Sequence, residues 1–311
     1  MGKWLKRIGL VLLAVLLIGG TWAYIELKAA GIIPRRDYET IAPEVPEINR
    51  PAVLLFDKTN GFIHRDAIPV ANKVFAALAE AKGWGVFHTR NAAIFDEALL
   101  SRFDLIIWNN VSGDVLTAEQ RAALRSWIEG GGGWLGVHGS GGDIHYDWDW
   151  YVNSLIGAQF IGHTMDPQFQ DADLLPTDEA PELTSHLPRR WRISAEEWYA
   201  FDRNPRDTQS TILVTIDEQS YAPKGETHFG FIDTMDGEHP LVWRHQRGHG
   251  RVFYSALGHT PQTYQLTEYQ QLLSNAMSWA AGLNDAERDQ KTAASAAYGS
   301  VIDDEISTLS P

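Results

Sequence analysis

The sequence predicts a doubly wound α/β fold with a mostly parallel sheet, carried behind an apolar N-terminal segment. Three observations predict it. Ala52-Val53-Leu54-Leu55-Phe56 is an apolar run without polar alternation, the pattern of a strand buried on both faces. Runs of this kind then alternate with helical periodicity, and a strand–helix–strand rhythm builds parallel sheets. Finally, Lys3, Lys6 and Arg7 precede an apolar stretch from Ile8 to Ile25, interrupted only by Gly9, Gly19-Gly20 and Thr21.

Each element follows in order. About 18 apolar residues are just enough to span a bilayer, and the basic flank should stay in the cytoplasm and send the rest across. No small-x-small cleavage site follows, and Trp22 and Tyr24 resemble an interfacial belt. Residues 1–27 are therefore read as an uncleaved signal anchor, with a cleaved signal peptide as the alternative. Either way the domain is expected outside the cytoplasm, in the periplasm or at the cell surface. Residues 28–50 read as a linker and 51–283 as one α/β domain. Within it, Asp66 to Ala81 is an amphipathic helix. Residues 84–88 and 104–109 are the second and third strands. Thr117 opens a helix with a capping box completed by Gln120, and Gly130 ends it. Trp134 to His138 is the next strand. Residues 171–234 hold short strands and turns. Residues 241–244 and 251–257 form a hairpin through Gly248-His249-Gly250, and Tyr269 to Ala281 is a closing helix. Residues 284–311 read as a polar, acidic tail.

Composition excludes several functions. A net charge of −14 argues against a nucleic-acid partner. The absence of cysteine excludes a thiolate nucleophile, disulfides and Cys-ligated metals. The twelve tryptophans serve either a core or a sugar-stacking pocket.

Ligands of open α/β sheets sit beyond the carboxyl ends of the strands. His64 follows the first strand, along with Lys58. Asn109 closes the third. His138 and Asp143 follow the glycine-rich strand, and His259 follows the last. Three histidines at three strand ends point to one site. His163, Gln168, the Glu196-Glu197-Trp198-Tyr199 stretch and His239 are further candidates. Within that stretch Glu196 reads more simply as a solvated carboxylate. His88, His145, His186, His228, His245 and His249 read as structural. In Gly136-Val137-His138-Gly139-Ser140 a histidine occupies the place that G-x-nucleophile-x-G turns give to Ser or Cys.

Lys58-Thr59-Asn60-Gly61-Phe62-Ile63-His64-Arg65-Asp66, Gly136-Val137-His138, Gly162-His163, Glu197-Trp198-Tyr199-Ala200-Phe201, Asp202-Arg203-Asn204-Pro205-Arg206, His239-Pro240-Leu241-Val242-Trp243 and the stretch from Gly250 to Thr260 together resemble the ThuA-like (trehalose utilisation) domain over about residues 52–283. The resemblance implies a flavodoxin-like fold related to class I glutamine amidotransferases. It also implies a part in sugar catabolism, of trehalose or another disaccharide, including 3-keto derivatives. In the amidotransferase pattern the elbow residue is Cys, and a late His is followed two residues on by Glu. Here His138 replaces the Cys and Pro261 the Glu, so glutamine amidotransfer is not expected.

Two readings remain open. In the first, His64, His138, His163, His259 and Glu197 are the catalytic group of a hydrolase or lyase acting on a small carbohydrate. They would work as acid–base groups or as ligands of a divalent metal such as zinc, with His138, His163 and His259 as the metal candidates. Lys58, Asn109, Asp143, Gln168, Trp198, Tyr199 and His239 would then bind substrate. In the second, the chain is a non-catalytic, membrane-anchored sugar-binding protein.

Overall fold

A computed structural model of the chain describes residues 2–30, 33–144, 146–227, 230–235 and 237–283. The expected tail, His145 and His228 lie outside the described residues. Helix α1 (Gly2–Ala30) comes first. Its Lys6–Lys28 stretch is long and apolar enough to cross a membrane, and none of it is buried. Residues 33–50 carry neither helix nor strand, yet they are tied down. The Glu39 carboxylate accepts from Lys58 and from the amide of Ala92, and its carbonyl accepts from the Gln120 side chain.

The parallel half of the sheet comes from β1 (Ala52–Phe56), β2 (Gly85–Thr89), β3 (Leu105–Asn109) and β4 (Gly133–Val137). Every residue of β1, β3 and β4 is buried, as unbroken apolar runs require. Helices α2 (Ala67–Ala81), α3 (Glu97–Leu100) and α4 (Ala118–Glu129) connect them. Both halves of the Thr117–Gln120 capping box are present, and Gly130 is the C-cap of α4.

The chain then builds the far side of the same sheet and the loops around it. It passes through β5 (Phe160–Gly162), β6 (Gln170–Pro176), α5 (Pro181–Thr184), β7 (Trp191–Glu196), β8 (Ala200–Phe201), β9 (Thr211–Ile216), β10 (Gly225–Glu226) and β11 (Phe231–Ile232). It returns as the hairpin β12 (Pro240–Arg247) and β13 (Gly250–Ser255), and α6 (Thr267–Ala280) packs against β13 and β4.

The main sheet has nine strands in the order β2-β1-β3-β4-β13-β12-β9-β6-β7. β13 runs parallel to β4, so the first five strands in that order are parallel. The other four pair antiparallel. Of these four, β12 is expected from the sequence as one arm of the hairpin, while β6, β7 and β9 fall where the sequence shows only short strands and turns. The α/β fold expected from the sequence is the one observed. The carboxyl ends of β1, β4 and β13 lie along one edge of it, and β4 is the direct neighbour of β13.

Candidate functional site

The site starts at the turn after β4. Val137 is extended, and His138 takes a left-handed φ of +39°, a conformation that costs a non-glycine residue and concentrates at functional turns. Three bonds hold it there. His138 Nδ1 donates to the Ala256 carbonyl at 2.7 Å, Tyr254 Oη donates to the His138 carbonyl at 2.8 Å, and the Gly139 amide donates to Asn110 Oδ1 at 3.1 Å. Tyr199 stacks on the imidazole with centroids 4.2 Å apart. Gly139 has to be glycine, since an added Cβ would sit 2.9 Å from the His64 ring. Ser140 is not free to act as a nucleophile: its hydroxyl donates to the Trp108 carbonyl and accepts from the Val111 amide.

With Nδ1 bonded to a carbonyl, His138 aims Nε2 into a cluster. His259 Nδ1 lies 3.2 Å away and Glu197 Oε2 3.4 Å. His259 Nδ1 also meets Glu197 Oε2 at 2.9 Å. The His64 ring packs edge-on to both histidines, with centroids 4.6 and 4.8 Å away. One ligand atom from each of His64, His138, Glu197 and His259 lies within 4.8 Å of all the others. His163 Nε2 and Gln168 Nε2 reach the far oxygen of Glu197, Oε1, at 3.2 and 2.7 Å. Glu197 therefore supplies the carboxylate beside the late histidine that Pro261 does not.

The cluster is nearly dry. Burial, with His138 and His259 close by, pushes His64 well below its usual pKa. Its Nδ1 is buried and has no hydrogen-bond partner. Burial would raise Glu197, but hydrogen bonds from His138 and His259 hold it well below the usual carboxylate range. Burial would likewise lower His259, yet Glu197 raises it above 6.5.

The structure thus brings together His64, His138, His163, Glu197, His259, Gln168 and Tyr199. Asp143 lies nearby: a Cβ on Gly61 would fall 2.9 Å from its Oδ2. Other candidates are engaged elsewhere. Lys58 bonds to Glu39 at 2.5 Å and lines a separate polar cavity of about 460 Å³ with Arg35, Asp57, Arg65 and Arg90. Asn109 is wholly buried and spends its amide on the Ile68 carbonyl and Asn72. Trp198 is core: its indole donates to the Gln170 carbonyl and its ring neighbours Tyr221. His239 is clamped between Glu218 and the Tyr199 carbonyl, both at 2.8 Å. His163 stands outside the four-ligand group, where Glu197 separates it from the centre.

Glu196, read from sequence as solvated, is wholly buried. Its carboxylate accepts from the amides of Glu197 at 2.9 Å and His259 at 3.1 Å, and from the Thr263 hydroxyl. It fastens the strand carrying one member of the cluster to the loop carrying another. Two adjacent carboxylates ahead of Trp198 and Tyr199 were the only signal in the sequence. Of the histidines read as structural, His88 pairs with Asp57 and His186 with the Glu268 carbonyl. His245 is buried against Ser210 and pushed down to about 3 by that burial.

The family model for ThuA, trehalose utilisation, matches residues 52–280. The chain belongs to this family. Among solved structures it resembles a ThuA-like protein from Bacteroides uniformis, at 23% identity and a TM-score of 0.65 over 79% of this chain and 97% of that one. A ThuA-like protein from Parabacteroides merdae aligns at 20% identity and a TM-score of 0.55, over 75% of this chain and 90% of that one. At these identities the likeness is one of fold. None of the curated proteins compared matches the chain.

Proposed function

We propose that this member of the ThuA family is a membrane-anchored, extracytoplasmic enzyme of carbohydrate catabolism whose centre is a divalent cation, such as zinc, held by His64, His138, His259 and Glu197. The observation that carries the reading is the gathering of three imidazoles and one carboxylate with ligand atoms within 4.8 Å of one another. Three nitrogens and one oxygen suit zinc. The site also satisfies the demands metals make of their ligands. His64 is kept neutral and carries an unpartnered buried nitrogen. His138 is oriented by a carbonyl on its other nitrogen, and the far oxygen of Glu197 is held by His163 and Gln168.

A cation there would supply Lewis acidity toward a sugar hydroxyl or carbonyl oxygen. The chain's own groups supply proton transfer. In the metal-free state the His259–Glu197 pair can hold a proton, because Glu197 raises the His259 pKa, which suits a general acid. Once both ligate a cation, His163, against the far oxygen of Glu197, is the imidazole left outside the ligand set. Glutamine amidotransfer, which begins with nucleophilic attack on the glutamine side-chain amide, is disfavoured twice over. The elbow residue is an imidazole, and the Gly139 amide, the natural oxyanion donor of such a turn, is already given to Asn110. The sugar class rests on the family, and the extracytoplasmic location on α1 and its basic flank.

The test is to strip the protein with a chelator, titrate zinc by calorimetry, and assay turnover of trehalose, other disaccharides and their 3-keto derivatives with and without metal. One cation per chain and metal-dependent turnover are expected. A chain that binds no divalent cation at millimolar concentration would refute the metal centre. Full turnover in the stripped state would leave acid–base chemistry by the same residues.

A further inference from the structure

Two phenylalanines stand exposed beside the cluster and have no place in the machinery described above. Phe62, in the loop after β1, is 46% exposed, and Phe169, in the loop before β6, is 43% exposed. Large aromatic rings left half in water at a site mouth mark contact surface rather than core. Both lie against the same imidazole. Phe169 meets His259 edge-on with centroids 5.1 Å apart, and Phe62 meets it at 6.5 Å while packing edge-on to His64 at 4.9 Å.

The segments that carry them are tied down as well. The Phe62 carbonyl accepts from the Ser112 hydroxyl. Phe169 sits between Gln168, which donates to Glu197, and Gln170, whose side chain bonds Thr164 and the Ala222 carbonyl. Neither ring is carried on a loose tip. The polar groups around them suit a hydroxylated ligand. The Asp143 carboxylate adjoins Gly61, next to Phe62, and Gln168, the chain neighbour of Phe169, carries an amide whose nitrogen donates to Glu197. Apolar rings bordered by a carboxylate and an amide match a molecule with one C–H face and a rim of hydroxyls.

We infer that Phe62 and Phe169 form an aromatic mouth that receives the C–H face of a pyranose ring and sets it against His259. This inference rests on the proposal that the substrate is a sugar. The mouth is a binding element, so it acts on affinity rather than on the reaction step. Phe62→Ala and Phe169→Ala should each raise KM about tenfold for the sugar that the wild-type protein turns over, a loss of the size expected for an aromatic stacking contact. Conversion to Tyr should keep KM near the wild-type value. In all four variants kcat and zinc affinity by calorimetry should stay within about twofold.

Unchanged KM in both alanine variants of an active protein would overturn the mouth and leave the sugar reading intact. A wild-type protein that neither binds nor turns over any sugar of the panel would overturn the sugar reading, and the mouth with it. Binding to anionic lipid vesicles that both alanine substitutions abolish, with KM unaffected, would reassign the two rings to a membrane surface and also overturn the inference.

Discussion

Replacing Glu196 by Gln removes one oxygen and one charge while keeping the shape of the side chain. In the wild type every partner of this carboxylate is a donor. Oε1 takes the amides of Glu197 and His259, and Oε2 takes the hydroxyl of Thr263 at close range and the hydroxyl and amide of Thr260 at 3.4 and 3.5 Å. A glutamine has one acceptor. If its oxygen keeps the two amides, its NH₂ faces Thr260 and Thr263, whose hydroxyls can turn to accept but whose amide cannot. If it flips, two buried backbone N–H groups lose their partner. A hydrogen bond to a charged group contributes about 1.5–3 kcal/mol, and a buried donor left unpaired costs about 1–3 kcal/mol. Since the hydroxyls offer partial relief, Glu196→Gln should destabilise the fold by about 2–4 kcal/mol, read by urea denaturation. The same substitution loosens the backbone that positions both Glu197 and His259. Changes of this kind around metal ligands weaken binding about 10–100-fold, which zinc calorimetry would resolve. A variant within 0.5 kcal/mol of wild type that also keeps its zinc affinity would show that Glu196 does not fasten the two segments.

Zinc affinity should fall with pH, because the raised His259 must lose its proton before it can ligate. Calorimetry in buffers of different ionisation enthalpy should show protons released at neutral pH, and a pH-independent affinity between 6 and 8 would contradict the assignment. His138→Ala should abolish zinc binding. It should also cost about 2–3 kcal/mol of stability, since it removes a wholly buried ring stacked on Tyr199 and strips the Ala256 carbonyl of its donor. Far-ultraviolet circular dichroism and zinc calorimetry together check this. Asp57 is held down at about 2 from 3.8: burial opposes the shift, and His88, Arg90 and Asn72 outweigh it. At about 1.4 kcal/mol per pKa unit, its ionised form contributes about 2.5 kcal/mol. Because the folded pKa is the depressed one, that stability is present above pH 4 and is lost as pH falls through 2. Asp57→Asn should therefore be less stable than wild type at pH 6, with the gap closing toward pH 2. Protease added outside intact cells, or to spheroplasts, should digest or trim the domain if it lies beyond the membrane. Protection until the cytoplasmic membrane is lysed would reverse the proposed orientation.

What could be seen in the sequence followed burial. β1, β3 and β4 are buried on both faces and announce themselves as apolar runs, and the Thr117 cap is a local pattern with a local cause. The outer part of the antiparallel extension was blurred because β6 and β7 alternate between buried and exposed positions and their pairing is irregular. β7 alternates imperfectly around Ala195, whose φ is +52°. His64, His138 and His259 were visible because strand ends converge by topology. Lys58 sits at the same kind of position and still turns away, because Glu39, nineteen residues upstream in sequence, lies beside it in space. The partners of His239 are hidden from sequence for a similar reason: Glu218 and the Tyr199 carbonyl meet it only after the sheet has folded. Phe62 and Phe169 gave no signal, since nothing in an aromatic residue of a polar loop tells whether it will be covered.

The strand order carries a consequence for how the chain is made. β13 is the last strand of the main sheet to be synthesised, and it occupies a central place between β4 and β12. Until it arrives, β4 presents an open, wholly apolar edge, the sort of edge to which other chains add. The cluster cannot exist before then, because His259 and the carbonyl that orients His138 lie at or just beyond the end of β13. Before that point the cluster's side chains have no fixed arrangement. Each half of the sheet must therefore be kept from foreign partners until the late hairpin inserts. A chain halted before residue 250 should be insoluble and unable to capture zinc, however much of its sequence is in place.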